Sequence, residues 1–387
     1  MNGKERIRNI IQSEIEQNII AGANILVIRE DKIIYKECFG YSDIEQNKKM
    51  TIDSIFRLAS LTKPITAFAI LQLIEQGSLN LHDNVSKYID SFANPLIEDQ
   101  LGIRPANREV TIYDLLTMTS GVVYPEADSK AGLAMSKIFD QYISDYQNGH
   151  KKTSLEFIEE MGRCPLAFHP GQEWRYGASA DVLGAVIEVV TGRTLGDYLK
   201  EAIFDPLEMV DTGFYIPKDK WDRQVTIYEE SENHTSIQPY NGSHLALFDS
   251  KIKPTFESGG AGLVSTIKDY AKFATMLLHH GTYQGKQLLS KETFTQMKVN
   301  QLTKEQAIPM NWYSTKGCGY GYFVRVLMNQ EEADLKASIG TYGWDGWTGP
   351  YFSIDEEKET IVLYFISKTN TGTNETTIQI HNEVYHL

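Results

Sequence analysis

The spacing of apolar residues changes character several times along the chain. In "MNGKERIRNIIQSEIEQNII", Ile7, Ile10, Ile11, Ile15 and Ile19 fall on one helical face, with charges and amides on the other. That period predicts a packed amphipathic helix. The next stretch, "ANILVIREDKIIYKECFGY", holds two β-rich runs joined by the polar "REDK", the pattern of an antiparallel hairpin. Helical spacing then governs "SIFRLASLTKPITAFAILQLIEQGSL", "TIYDLLTMTSG", "SLEFIEEMG", "SADVLGAVIEVVTGRTLGDYLKEAIF" and "STIKDYAKFATMLLHHG", several of which close in glycine. The β-rich runs return in "GYGYFVRVLM", "ASIGTYGWDG", "PYFSI" and "ETIVLYFIS", the last two around the charged turn "DEEKE". The tail "TTIQIHNEVYHL" predicts a closing helix.

Strands at both ends with helices between them predict an α+β fold. One antiparallel sheet, built from both termini and flanked by helices, belongs to residues 1–80 and 255–387. Residues 81–254 form an inserted, mainly helical lobe, and a cleft is expected where the lobes meet. The polar, aromatic-dotted stretch 216–258 reads equally as a covering loop and as an ordinary connection. No internal repeat is present.

Composition narrows the class. At 42% hydrophobic and 23% charged residues, the chain of 387 has ample material for a large core. A net charge of −14 argues against nucleic acid or an anionic membrane as a partner. Cys38, Cys164 and Cys318 lie far apart with no CxxC pair, which predicts reduced thiols in a cytoplasmic protein. The first twenty residues lack the apolar run of a signal peptide or membrane anchor.

Candidate chemistry sits in residues 57–66, "RLASLTKPIT". The helix that follows carries Ile65, Phe68, Ala69, Ile70, Leu71, Leu73 and Ile74, which leave almost no polar face, so it is expected to be buried. Pro64 belongs in a first turn, which sets Ser60 near the helix start and Lys63 one turn on, on the same side. The helix dipole favours an oxyanion on the serine, while burial and the same dipole disfavour charge on the lysine. Bringing a free lysine from about 10.4 to near 7 takes roughly 4–5 kcal/mol. A neutral Lys63 is then expected to take the proton of Ser60 as it attacks a carbonyl. From these ten residues alone, an N-capping serine followed by a solvated lysine is the other reading.

The wider stretch "FRLASLTKPITAFAILQLIEQGSLNLHDNVSKYI" resembles the active-serine block of the penicillin-recognising serine hydrolases. It is most similar to the branch that holds the class C β-lactamases and the carboxylesterases sharing their fold. Further blocks follow in that family's order: "TIYDLLTMTSGV", "FHPGQEWRYGASADVLGAVIEVVTGRTLGDYLKEAIFDPLEM", "ESGGAGLVSTIKDYAKFATMLLHHG" and "YGWDGWTGPYFSIDEE". The likeness runs from about Ala21 to Ser367. It implies the β-lactamase/transpeptidase-like fold, with Ser60 as nucleophile and Lys63 as its general-base partner. Tyr176, in "WRYGAS", matches the tyrosine that opens the family's tyrosine-x-asparagine motif, and is expected to share a proton with Ser60 and Lys63 and deliver it to the leaving group. The amides of Ser60 and Trp347 would form the oxyanion hole. Base, acid and electrophile are then all supplied by the chain, so no cofactor and no metal are expected.

Two departures from the family pattern bear on substrate. Ala178 stands where the β-lactamases have the motif's asparagine, and Ser179 beside it offers a partial substitute. Trp344, Asp345 and Gly346 replace the lysine-threonine-glycine triad that holds a substrate carboxylate; an acid there repels an anion, and the esterase branch has a similar tryptophan-x-glycine. These five residues are expected to line the substrate site, with simple packing by Trp344 and Trp347 and turn-capping by Asp345 as the plain alternatives. His169 is expected only to pack, His279 and His280 to end a helix, and Ser258–Thr266 to be a structural helix-entry loop. The resemblance thus implies a carboxylesterase for small neutral or hydrophobic esters. A β-lactamase or D-amino-acid peptidase or amidase is the alternative among enzymes, and a catalytically silent binding protein the alternative outside them. The expected partner is a small-molecule ester, amide or β-lactam, with oligomeric state left open.

Overall fold

Strands from the two ends of the chain pair directly. The computed structural model describes residues 2–99, 102–242, 244 and 249–387. Near the N-terminus lie β1 (Gly22–Arg29), β2 (Lys32–Asp43) and β3 (Lys48–Lys49). Near the C-terminus lie β4 (Cys318–Tyr320), β5 (Arg325–Leu327), β6 (Tyr342–Asp345), β7 (Tyr351–Asp355) and β8 (Thr360–Phe365). They form one antiparallel sheet in the order β4-β5-β6-β7-β8-β1-β2-β3. The seam between the two ends is β1 on β8, from Asn24 opposite Phe365 to Arg29 opposite Thr360.

Both faces of the central strands are covered, which is why "ILVI" and "TIVLYF" are continuous apolar runs rather than alternating ones. The residues still sort by their period of two. Ala23, Ile25 and Val27 meet α1 (Gly3–Glu16) and α5 (Glu375–Val384), together with Tyr351, Val362 and Tyr364. Leu26 and Ile28 face the other way, with Phe352, Ile361 and Leu363, toward α2 (Thr62–Glu75) and α4 (Ile267–Leu278). In α1, Ile7 and Ile11 are fully buried and Ile10 and Ile15 flank them. Ile19 departs from the expected face: the helix ends at Glu16, Asn18 turns left-handed at φ 55°, and Ile19 is exposed.

Residues 112–204 are mainly helical, with Lys130–Gln147, Ser154–Gly162 and α3 (Ser179–Thr191) as the longest pieces. Thr111 and Thr153 open two of these helices with reciprocal capping boxes to Asp114 and Glu156. Their apolar faces do not close on a core of their own. Phe157, Ile158, Val186 and Ile187 belong to the same hydrophobic cluster as Phe68 and Ile70 of α2 and Leu363 of the sheet. A short hairpin, Leu96–Asp99 with Gly102–Pro105, was not legible in the apolar spacing.

Of the stretch 216–258, residues 243 and 245–248 lie outside the described residues. The rest is strapped to the sheet. The Tyr228 hydroxyl donates to Glu45 Oε2 and accepts from the Ile44 amide, both at 2.7 Å, while its backbone pairs with Ser367 and Thr369. A hairpin of Tyr228–Glu230 and Ile237–Pro239 follows. Beyond it, the rings of Tyr240 and His244 pack on Trp347, 6.2 and 4.5 Å between centroids.

Candidate active site

The buried helix is present and begins two residues after the serine. Every residue of α2 from Thr62 to Leu73 is buried, Pro64 sits in its first turn, and Ser60 occupies a single 3-10 turn, Ala59–Leu61, that leads into it. Ala59 adopts φ 46°, a left-handed conformation that costs an ordinary residue about 1–2 kcal/mol. The turn is held by its neighbour on β6's far end. A Cβ on Gly346 would lie 2.5 Å from the Leu58 carbonyl oxygen and 3.4 Å from the Ala59 Cβ, so only glycine lets the two backbones meet there.

Lys63 is completely buried and spends all three of its N–H donors. Nζ donates to Ser60 Oγ at 3.2 Å, to the Tyr124 hydroxyl at 3.0 Å and to the Gly260 carbonyl at 2.9 Å. It also lies 4.7 Å from the ring centroid of Tyr176. The Gly260 carbonyl is fixed in turn from behind, because Asp181 Oδ1 accepts from the Gly260 amide at 3.1 Å and from Ser258 Oγ at 2.5 Å. Asp181 sits in the first turn of α3, five residues after Tyr176. Ser258 to Thr266, expected to be merely structural, therefore supplies a direct ligand of the lysine.

The electrostatics of this arrangement run against the expectation of an uncharged amine. Burial alone pushes the Lys63 ammonium down, but Tyr124, Tyr176 and Asp181 outweigh it, and the balance lies above that of free lysine. An ammonium here has an oxygen acceptor for each of its three protons. Tyr124 is pushed up by desolvation, with Lys63 opposing, so it stays a phenol at neutral pH. Burial likewise raises the Asp181 carboxyl, against the pull of Lys63 and of the bonds from Ser258 and Gly260.

Tyr176 is half-buried and pinned by rings: Trp312 at 5.2 Å, Trp344 at 5.6 Å and Tyr124 at 5.8 Å. The Trp344 indole N–H points at its hydroxyl, 3.4 Å away. Ser60, Tyr176, Trp312, Trp344, Asp345 and Trp347 line one open cavity of about 430 Å³, together with residues 370–373. A larger cavity of about 640 Å³ beside Arg57 does not contain Ser60. The Trp347 indole donates to Asn370 Oδ1 at 2.6 Å, and the Thr371 amide donates to the Trp347 carbonyl at 3.2 Å, which ties the turn after β6 to residues 370–371.

Three further expectations change. Ala178 and Ser179 are fully buried rather than facing substrate; Ser179 Oγ is bonded to Ser120 Oγ at 2.9 Å, and Ala178 is part of the core. Asp345 does line the cavity, but not as a lone acid. Its Oδ2 accepts from Arg325 Nη1 at 2.5 Å and from Thr373 Oγ1 at 2.6 Å. Elsewhere His169 Nδ1 accepts from the Asn107 amide at 3.0 Å, and His279 meets Asp31 at 2.7 Å on the surface. Among the described residues no cluster of three or more His, Cys, Asp or Glu is arranged to hold a metal ion, and no helix is long and apolar enough to cross a membrane.

A family model described as Beta-lactamase matches residues 7–384. Esterase EstB of Burkholderia gladioli is 27% identical over 98% of this chain and 94% of its own. A putative D-alanyl-D-alanine carboxypeptidase of Escherichia coli is 27% identical over 92% of this chain and 81% of its own. Among solved structures, EstCE1, described as a hydrolase with promiscuous acyltransferase activity, superposes with a TM-score of 0.81 at 26% identity, covering 99% of this chain and 98% of that one.

Proposed function

The chain belongs to the Beta-lactamase family and is a serine hydrolase of its fold; from that premise we propose that it forms an acyl-enzyme on Ser60 and hydrolyses small neutral or hydrophobic carboxylic esters. The observation that carries the proposal is the bond from a fully buried Lys63 Nζ to Ser60 Oγ, at the floor of an aromatic cavity. In this reading Tyr176 enters the step as the phenolate: Ser60 Oγ attacks the ester carbonyl and its proton passes to the Tyr176 oxygen. Lys63, kept as a cation by Gly260 and Tyr124, stabilises negative charge on both oxygens. The amides of Ser60 and Trp347 receive the oxyanion. Tyr176 returns the proton to the departing alkoxide, the C–O bond breaks, and water repeats the sequence on the acyl-enzyme to release the acid.

Esters are favoured over β-lactams and D-alanyl peptides by the cavity wall. It is built from Tyr176, Trp312, Trp344 and Trp347, its carboxylate is already paired, and no asparagine follows Tyr176. The resemblance to EstB over nearly the whole of both chains supports the same reading. The test is a panel of p-nitrophenyl acetate, p-nitrophenyl butyrate, nitrocefin and D-alanyl p-nitroanilide, with Ser60→Ala as control. Turnover of the two esters that disappears in Ser60→Ala is expected. Turnover of nitrocefin or the anilide alone would overturn the esterase assignment, and equal fluorophosphonate labelling of wild type and Ser60→Ala would overturn catalysis altogether.

A further inference from the structure

Arg325 stands opposite Gly343 across β5 and β6, and Asp345 stands opposite Tyr351 across β6 and β7. Directly paired residues share a face, as do residues two apart, so Arg325, Asp345 and Tyr351 lie on the side of the sheet covered by α1 and α5. The guanidinium is buried there, its carbon 5.4 Å from the Tyr351 ring centroid and 5.6 Å from that of Trp344. Nη1 donates to Asp345 Oδ2 at 2.5 Å and Nη2 to Thr373 Oγ1 at 2.9 Å; the threonine hydroxyl donates to the same Oδ2 at 2.6 Å. Asp345 and Thr373 line the cavity that holds Ser60, and Arg325 lies behind them. Among the described residues, both hydrogen bonds to the carboxylate go to Oδ2, while Oδ1 lies against Gly372 at the cavity wall.

From this layering we infer that Asp345 masks Arg325. The pair is neutral in sum and negative at the cavity wall, so substrates with a carboxylate near the scissile bond are refused. A latent anion-binding cation sits one side chain behind the wall. A charge next to its counter-charge presents only a dipole to a group beyond it, and here the negative end is outermost. Replacing the carboxylate by an isosteric amide keeps an oxygen for Nη1 but leaves the guanidinium without a counter-ion. A buried unpaired cation is unfavourable, and a substrate carboxylate reaching the wall is the group that relieves it.

The inference rests on the reading of the Ser60 cavity as an ester site. Its test compares kcat/KM for p-nitrophenyl butyrate and for the matched mono-p-nitrophenyl succinate. The wild type is expected to prefer butyrate. In Asp345→Asn the succinate-to-butyrate ratio is expected to rise roughly tenfold, the size of one charge-assisted contact. In the double variant Asp345→Asn with Arg325→Met the gain is expected to vanish. Free succinate should also raise the Tm of Asp345→Asn and leave that of the wild type unmoved, a readout that needs no turnover. Ser60-dependent butyrate hydrolysis with an unchanged ratio in Asp345→Asn, absence of the succinate effect on Tm, or a wild type that already prefers the succinate ester would each overturn the masking alone. A wild type that hydrolyses neither ester overturns both the masking and the ester reading.

Discussion

Lys63 and Tyr124 are joined nitrogen to phenol oxygen at 3.0 Å, across sixty-one positions of sequence. The tyrosine matters because it is one of the acceptors that hold the ammonium in place beneath Ser60, and because its own ring packs on Tyr176 at 5.8 Å. It thus touches both partners of the nucleophile without lining the cavity itself.

Tyr124→Phe keeps that ring and removes only the hydroxyl. One hydrogen bond to a charged group is worth about 1.5–3 kcal/mol. The expected result is a fall of roughly 10- to 100-fold in the rate of fluorophosphonate acylation, with KM for p-nitrophenyl butyrate little changed. An acylation rate equal to wild type would remove Tyr124 from the mechanism.

Lys63→Ala is expected to fold and to lose acylation by roughly 100-fold or more. A second consequence concerns pH. The folded pKa of Lys63 lies above its unfolded value, so its contribution to stability is complete at neutral pH and is lost as pH rises through the folded value. Urea midpoints of the wild type should therefore fall above pH ~10.4, the pKa of a free lysine. In Lys63→Met that alkaline fall should be shallower; identical profiles would show that the ammonium is not stabilised by folding.

His381 gives the opposite slope at the acid end. It is fully buried against Ser353, and desolvation first, then Arg325, lowers it to about 4. An unfolded histidine, near 6.5, takes up its proton well before the folded one, so the folded state loses up to about 3 kcal/mol between pH 6.5 and 4 and nothing above that window. Tm measured across this range should drop in the wild type. The drop should be smaller in His381→Gln, and an equal drop in both would assign acid lability elsewhere.

Gly346→Ala tests the contact between β6's end and the serine turn. Its methyl group would meet the Leu58 carbonyl at 2.5 Å, so either Ala59 leaves its left-handed conformation or Trp347 moves. Loss of one oxyanion donor typically costs at least about 100-fold in kcat. The expected outcome is that loss with a lowered Tm; a fully active variant would place the oxyanion hole elsewhere.

Much of this was legible in the chain, and the part that was not has a common cause. The central strands, α2, and the serine–lysine spacing are local patterns: apolar period, a first-turn proline, three positions from one side chain to the next. Tyr124 carries no local mark among 21 tyrosines, and only the fold brings it to Lys63. The charge on Lys63 is not legible in the chain, because the helix start and its burial are visible in sequence, whereas the Gly260 carbonyl and the Asp181 behind it are not. Ser179 reads as available because it adjoins Ala178, yet α3 begins there and turns it inward to Ser120. Arg325, in "YFVRVLM", reads as an ordinary strand residue until register puts it on the same face as Asp345.

The seam between β1 and β8 has a consequence for biogenesis. β1 leaves the ribosome well before the strand it must lie against, since Arg29 and its partner Thr360 are 331 positions apart, and Arg29 is further tied to the carbonyls of Val384 and Leu387. Until β8 has been made, the hairpin of β1 and β2 has an open, apolar edge and no mate. Such long-range pairing slows assembly of the sheet, and an unpaired apolar strand edge is prone to aggregation until its partner strand arrives.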